Sequence, residues 1–202
     1  MMGKTHISVG VASALLVSRP TDLGGCLVAV IGGSVGGIMC DIEVRSNRKC
    51  RDALHARYIV LALVGTALLV DVIIRGQVTT AISEGNRTVL SVGALILAGT
   101  STCSRLWSKH RGFSHSILAL ALFSIGLLAI FPALAISFAL GFASHVLLDV
   151  LNKKQIQLLY PSNKANICLR LCYANGVTNK VFLVLGVVGT VAGLAMPFVL
   201  AA

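Results

Sequence analysis

The stretch HRGFSH, residues 110–115, places two histidines, an arginine and a glycine between two long apolar segments. Imidazole is the commonest metal ligand of proteins and also titrates near neutral pH. The spacing of five between His110 and His115 does not bring both rings to one face of an ideal helix. We therefore expect Gly112 to turn the backbone, with His110 in the loop, His115 in the first helical turn and Ser114 as the N-cap.

A second pair of chemically capable side chains lies in GFASHVLLDVL, where His145 and Asp149 are four residues apart and share one helical face. Imidazole nitrogen and carboxylate oxygen together suit zinc or manganese. For this pair alone, a structural hydrogen bond is the alternative. Similar groups flank other apolar segments, at His6, Asp41 and Glu43. Because such a polar cluster is costly in a bilayer unless it has a role, the groups together predict a metal site.

Composition indicates where these groups must be positioned. Of 202 residues, 56% are hydrophobic and 12% charged, and the mean hydropathy is +0.88, which is typical of an integral membrane protein. We predict an all-α, polytopic transmembrane helical bundle with short loops, forming one domain over residues 1–202, and no cleavable signal peptide. The six or seven expected helices, of which the first is short, are Ile7–Val17, Leu23–Cys40, Arg57–Ile74, Thr88–Cys103, Ser116–Ile130, Pro132–Leu151 and Val181–Leu200.

The run from Ser116 to Ser144 contains 29 uncharged residues, interrupted by Pro132. As one helix it would rise about 43 Å and place His115 and His145 on opposite membrane faces. Proline at this position instead favours a tight hairpin of two helices. The hairpin returns His145 to the side of His115.

The second predicted helix carries the glycine-rich stretch VIGGSVGGIM. Gly32 with Gly36, and Gly33 with Gly37, have the small-xxx-small spacing that lets transmembrane helices approach closely. We predict close helix packing here rather than a phosphate-binding loop, because no P-loop lysine follows.

The net charge of +10 is unevenly distributed along the chain. With seven spans, fourteen basic residues fall on one side of the membrane and three, Arg19, Arg75 and Arg87, on the other. The positive-inside rule assigns the basic side, and with it all the candidate metal ligands, to the cytoplasm. Topology and attraction to anionic lipids account for the charge. Since the chain has no basic and aromatic platform for stacking bases, no nucleic-acid partner is expected.

Five motifs together resemble a known family. The segments THISVG, CDIE, HRGFSHS, GFASHVLLDVLN and IQLLYP are similar to those of the YdjM-type, LexA-regulated, membrane-bound metal-dependent hydrolases, from His6 to about Pro161. The resemblance implies an inner-membrane hydrolase whose metal-site positions are His6, Asp41, His110, His115, His145 and Asp149.

The chain departs from this family pattern at several positions. Where the family commonly has PDID, Cys40 replaces the proline and Glu43 replaces the second aspartate. Glu43 is therefore predicted to act as a ligand or general base. Asn152 stands where the family often has threonine, and Asn179 in NGVTNK stands where an acid often follows a late glycine. Because Asn179 cannot act as an acid, either the activity is altered or Glu43 covers for it.

One or two divalent ions, zinc first and manganese second, would activate water and polarise a phosphoryl oxygen. Arg111 is predicted to grip the phosphate through two hydrogen bonds, so that Glu43 and Arg111 are the predicted catalytic residues. Lys109, Lys153 and Lys154 either add charge nearby or are topology signals.

A site at the inner rim of the bundle meets lipid headgroups before soluble metabolites. We therefore expect membrane lipids as partners and a phosphoester of a lipid or polyprenyl phosphate in the cytoplasmic leaflet as substrate. The same ligands leave three other functions open: a metal-ion transporter, a haem-binding membrane protein and a structural scaffold.

Overall fold

The computed structural model describes residues 2–43, 51–76, 78, 80, 84–106, 111–162, 166–173 and 176–200. Within them the chain forms seven α-helices, two 3₁₀ helices and one short antiparallel strand pair. The predicted all-α helical bundle is thereby confirmed. The α-helices are α1 (Gly3–Ser18), α2 (Leu23–Met39), α3 (Arg51–Ile74), α4 (Arg87–Leu106), α5 (Ile117–Ile130), α6 (Pro132–Val150) and α7 (Val177–Leu200). The 3₁₀ helices are Cys40–Glu43 and Phe113–His115, and the strands are β1 (Ile156–Gln157) and β2 (Asn166–Ile167).

Helix α1 is the centre of the bundle, although it was predicted as the shortest span. It packs against α2, α3, α6 and α7, and Val11, Ala14 and Leu15 are buried along it. A helix surrounded by protein does not have to present an apolar face to lipid on all sides. Polar residues such as His6 can therefore be carried by α1.

Glycines bring the backbones of α1, α2 and α6 into contact. A Cβ added at Gly33 would lie 2.7 Å from the carbonyl oxygen of Gly10, and one added at Gly141 would lie 2.5 Å from that of Gly33. Separations this short leave no room for a side chain, so the three helices meet through small residues. The close packing predicted from the glycine spacing is confirmed.

Among the described residues, three helices are long and apolar enough to cross a membrane: Leu54–Ile74, Pro132–Val150 and Val177–Val199. The first and third have a mean hydropathy of 2.2 and are only 17% buried, whereas Pro132–Val150 has 1.8 and is 61% buried. Helices α3 and α7 therefore expose apolar side chains around the outside of the bundle, and α6 lies inside it. The apolar helices Leu23–Met39 and Ile117–Ile130 are shorter.

The predicted hairpin at Pro132 is confirmed. Helix α5 ends at Ile130 and α6 begins at Pro132, where a missing amide hydrogen is tolerated in the first turn. Phe123 from α5 packs against Phe138 and Phe142 of α6, with ring centroids 6.3 and 6.2 Å away. The hairpin thus returns the chain to the end of the bundle from which α5 starts.

The local turn before α5 differs from the expectation in two details. Positive φ occurs at Arg111 (71°), whereas Gly112 has a φ of −89°. Ser116, not Ser114, is the N-cap of α5, because its hydroxyl accepts a hydrogen bond from the Ala119 amide at 3.1 Å. The predicted turn is therefore centred one residue earlier and the predicted helix begins later, because a 3₁₀ turn over Phe113–His115 intervenes.

The connection between α6 and α7, which the structure describes over residues 151–162 and 166–173, lies against the end of the bundle where α5 begins. The Gln157 amide donates to the Arg111 carbonyl at 3.1 Å, and the Ile117 amide donates to the Leu158 carbonyl at 3.0 Å. The Leu169 amide bonds back to Val150 at 2.7 Å. These backbone hydrogen bonds hold the connection and the HRGFSH turn together.

Candidate metal centre

Five of the predicted metal-site residues meet at one end of the bundle. His6 lies in the first turns of α1, Asp41 directly after α2, His115 directly before α5, and His145 with Asp149 near the end of α6. Helices α1 and α5 begin at this end of the bundle, and helices α2 and α6 end there, because the four helices alternate in direction. All three histidines and Asp149 are buried, and Asp41 is half-buried.

Asp149 lies at the centre of the cluster. The Nε2 atoms of His115 and His145 are 3.4 and 4.0 Å from its Oδ2. The Nε2 atom of His6 is 3.6 Å from its Oδ1, and Asp41 Oδ1 lies 3.9 Å from His115 Nε2. These separations exceed ordinary hydrogen bonds, which span roughly 2.7–3.2 Å. The side chains therefore face one another at distances longer than ordinary hydrogen bonds.

The outer nitrogens of two imidazoles have partners that orient the rings. His145 Nδ1 lies 2.8 Å from the carbonyl oxygen of Gly37, and since a carbonyl only accepts, Nδ1 carries the proton. His115 Nδ1 lies 2.9 Å from the Ser114 hydroxyl. A histidine whose Nδ1 donates to a carbonyl presents the lone pair of Nε2, which is the arrangement of many metal-ligating histidines. Ring orientation in the cluster therefore favours metal binding through Nε2 of His145.

The donor set fits a divalent cation. Among the described residues, His6, His145 and Asp149 form one group of ligand atoms within 4.8 Å of one another, and Asp41, His115 and His145 form a second. Two ligands of a tetrahedral zinc at roughly 2.0–2.1 Å lie about 3.3 Å apart, close to the spacing found here. His145 Nε2 and His6 Nδ1 are buried and have no hydrogen-bond partner in the described structure. A cation would satisfy the first of these atoms, which otherwise carries a desolvation cost.

The structure places Arg111 against Asp149. Its Nη2 lies 3.0 Å from Asp149 Oδ2, and its Nη1 donates to the Lys154 carbonyl at 2.9 Å. The backbone at Arg111 is left-handed, with a φ of 71°. Two guanidinium nitrogens are thus engaged within the protein, and the predicted role as a phosphate clamp stays a prediction.

The side chains of two predicted site residues lie outside the described part of the structure. Glu43 is the last residue of the 3₁₀ helix Cys40–Glu43, but its side chain lies outside the described part of the structure. His110 also lies outside the described residues, as does Lys109. Their predicted roles remain predictions.

Sequence reasoning missed several residues that support the cluster. Gly37 was predicted for packing alone, yet its carbonyl orients His145. Asn179, noted only as a missing acid, is buried and accepts a hydrogen bond from the Met2 amide at 3.1 Å. This bond ties the start of α1, four residues before His6, to the first turn of α7. The departure from the family pattern at Asn179 was the available signal, but it did not reveal the partner.

The cluster can be set beside known proteins. A family model described as YdjM inner membrane protein matches residues 1–202. No curated protein and no solved structure matches the chain. The match spans every element that contributes to the cluster, and the three long apolar helices agree with a family of inner membrane proteins. The chain belongs to the YdjM inner membrane protein family.

Proposed function

We propose that this protein is a membrane-bound, metal-dependent hydrolase that cleaves a phosphoester of a lipid or polyprenyl phosphate at the cytoplasmic leaflet. The observation that carries the proposal is the convergence of three buried imidazoles on the Asp149 carboxylate, with Asp41 beside them. Such a set is expensive to bury in a membrane protein without a function.

Two overlapping ligand groups would hold the metal. His6, His145 and Asp149 would form one and Asp41, His115 and His145 the other, for zinc first and manganese second. A divalent ion in this position supplies Lewis acidity toward a phosphoryl oxygen and lowers the pKa of water to about 7. His145 belongs to both groups, so its loss should affect the whole centre.

The protein's own groups prepare the site for an anionic substrate. The Gly37 carbonyl fixes the His145 ring, and Arg111 holds one oxygen of Asp149. The Asp41 side chain is 23% exposed, against 3% for Asp149, so the cluster is reached from the side of Asp41. Glu43, two residues further along, is the proposed general base.

Charge supports a cytoplasmic orientation of this end. Of the cations in the described helices and connections, Arg19, Arg75 and Arg87 lie at the opposite end. The end that carries the cluster has more: Lys4, Arg57, Arg111, Lys153, Lys154, Arg170 and Lys180. Such an excess favours the cytoplasmic side and attracts anionic headgroups.

The rival functions are supported less well. The rings of His6 and His145 stack at 3.8 Å with an interplanar angle of 16°, whereas axial ligands of haem must lie on opposite faces of the macrocycle. A transporter needs ligands along a path, but Asp71, the buried acid in α3, lies at the opposite end of the bundle. Both observations favour a fixed site at one end.

The test combines metal content with turnover. Purified wild-type protein should bind divalent metal and hydrolyse phosphatidic acid or a polyprenyl phosphate. His145→Ala should lose both metal and turnover while keeping its helical circular dichroism. A wild-type protein without bound metal after supplementation, or one with a strong Soret band, would overturn the proposal. A His145→Ala variant that turns over substrate at the wild-type rate would overturn it as well.

A further inference from the structure

A cavity of about 440 Å³ lies between α4, α5 and the α6–α7 connection. Its lining residues are Leu95, Ile96, Gly99, Thr100, Cys103, Phe113, Leu122 and Tyr160. We propose that this cavity holds one hydrocarbon chain of a phosphate-bearing membrane lipid whose headgroup reaches the metal centre. The inference rests on the proposed function and assigns the position of the substrate's chain.

The cavity lies beside a close contact between α4 and α5. At the far end they touch: a Cβ added at Gly93 would lie 2.8 Å from the Gly126 carbonyl oxygen. A Cβ added at Gly99 would meet nothing within 4 Å. Gly99 is itself exposed, on the same face of α4 as Leu95, so the cavity is open toward the outer surface of this helix.

The chemistry of the lining matches a hydrocarbon chain. Most lining side chains are apolar or aromatic, as in typical sites for small apolar ligands. Thr100 has its hydroxyl bonded to the Ile96 carbonyl at 2.7 Å, so it does not demand a polar ligand. Leu95 is 71% exposed on the outer surface of α4. A chain can therefore enter sideways from the bilayer.

The 3₁₀ helix Phe113–His115 connects the cavity to the metal centre. Phe113 lines the cavity, and His115 lies two residues further in the same 3₁₀ helix. Phe113 packs edge-on against Tyr160, with centroids 5.5 Å apart. This aromatic pair lines the cavity and borders the turn that carries His115.

Charge at the same end complements an anionic headgroup. The connection that provides Tyr160 also carries exposed Lys153, Lys154 and Arg170. Lys153 stacks over the Tyr173 ring at 3.6 Å, which keeps a cation at the surface of this connection. A lipid whose chain occupies the cavity would have its phosphate among these cations and beside the half-buried Asp41. The apolar cavity thus suits the hydrocarbon chain of such a lipid, and the basic connection suits its phosphate.

Photocrosslinking of a lipid chain tests the assignment without requiring turnover. The full chain is reconstituted into phosphatidylcholine vesicles with phosphatidic acid that carries a diazirine in one acyl chain. Crosslinked peptides should map to the α4 and α5 residues that line the cavity. Gly99→Leu should lower this crosslinking at least about tenfold, because its side chain fills the open space. The matched control is Gly65→Leu in α3, where an added Cβ also meets nothing within 4 Å, and it should leave crosslinking unchanged.

Competition between lipids identifies the preferred hydrocarbon chain, and kinetic measurements distinguish this inference from the proposed function. Excess polyprenyl phosphate or unlabelled phosphatidic acid should displace the probe, and the stronger competitor identifies the preferred chain. Gly99→Leu should raise the KM for long-chain phosphatidic acid at least about tenfold, and raise it less for the dihexanoyl analogue, whose short chains fill less of the cavity. His145→Ala should still crosslink in the cavity. Crosslinks in the cavity without wild-type turnover support this inference and overturn the proposed function. Crosslinks spread evenly over α3 and α7, or equal crosslinking by Gly99→Leu and Gly65→Leu, overturn this inference whatever the activity.

Discussion

Two buried carboxylates, Asp149 and Asp71, lie near the C-terminal ends of long apolar helices and have different surroundings. Both are nearly inaccessible, with 2% and 0% exposure. Asp149 faces three imidazoles and the Arg111 guanidinium. Asp71 accepts from the Val78 amide at 3.3 Å, and its carbonyl accepts from Gly76 at 2.8 Å. A buried acid at a helix end is therefore not in itself a site.

The difference lies in how far along the chain the partners are. The Val78 amide that donates to Asp71 is only seven residues away, so this hydrogen bond forms within the segment directly after α3. The partners of Asp149 come from α1, the HRGFSH turn and α6 itself. Only assembly of the bundle brings them together, and ordering such distant groups has an entropic cost that a local turn avoids. The long-range cluster is the one expected to have a chemical role.

The largest effect is expected from exchanging each carboxylate for an amide. Asp149→Asn should lower metal affinity by more than the roughly 10- to 100-fold that loss of a partner behind a ligand costs, and turnover should be lost with it. Asp71→Asn should keep metal and activity, with a stability loss of about 1 kcal/mol. Metal titration calorimetry and thermal unfolding of both variants measure the contrast. If Asp71→Asn lost metal as fully as Asp149→Asn, the distinction between the two acids would be wrong.

Arg111→Lys tests what the guanidinium does for Asp149. A lysine cannot contact Asp149 and the Lys154 carbonyl with the same fork geometry, so metal affinity should fall roughly 10- to 100-fold. The phosphate-clamp hypothesis instead predicts intact metal affinity and a turnover of metal-saturated enzyme reduced on the order of 10²- to 10³-fold. Metal dissociation constants, together with kcat at saturating metal, separate the two roles. Unchanged values of both would exclude both.

A smaller effect should follow from changing the backbone that orients His145. A Cβ at Gly37 would lie 2.7 Å from the His6 carbonyl oxygen, so Gly37→Ala should destabilise the protein by about 1–3 kcal/mol through overpacking and weaken metal binding. Gly65→Ala is the matched control, because open space surrounds that position and alanine favours the helix by up to about 1 kcal/mol. Melting temperatures in detergent should therefore shift in opposite directions. A shift of the same sign would show that the helices do not pack as described.

The smallest effect is expected at Asn179. Asn179→Ala removes the acceptor for the Met2 amide and should cost about 0.5–1.5 kcal/mol of stability, measured by thermal unfolding. Asn179→Asp keeps an acceptor and brings back the acid common in the family. If Asn179→Asp raised turnover while stability stayed constant, the missing acid would be chemically important and the structural role of Asn179 secondary.

The sequence by itself determined the helices and their hairpin. Seven apolar segments predicted the seven α-helices named for the described residues to within a few residues at most ends, because hydrophobic length is a local property. Pro132 predicted the break between α5 and α6, since proline removes a helical hydrogen bond wherever it stands. The same reasoning brought His115 and His145 to one side. It also named the five described cluster residues, although part of that set came from the family resemblance.

Only the tertiary structure decided how these pieces act on one another. No local pattern shows that α1 lies at the centre, that the Gly37 carbonyl binds His145, or that Arg111 turns toward Asp149. These contacts join residues separated by tens of positions, and each depends on how closely the helices pack. The turn at Arg111 instead of Gly112 has the same origin, because the backbone of the α6–α7 connection holds Arg111 in place. Hydrophobic length fixes where these helices form, but packing decides which side chains meet.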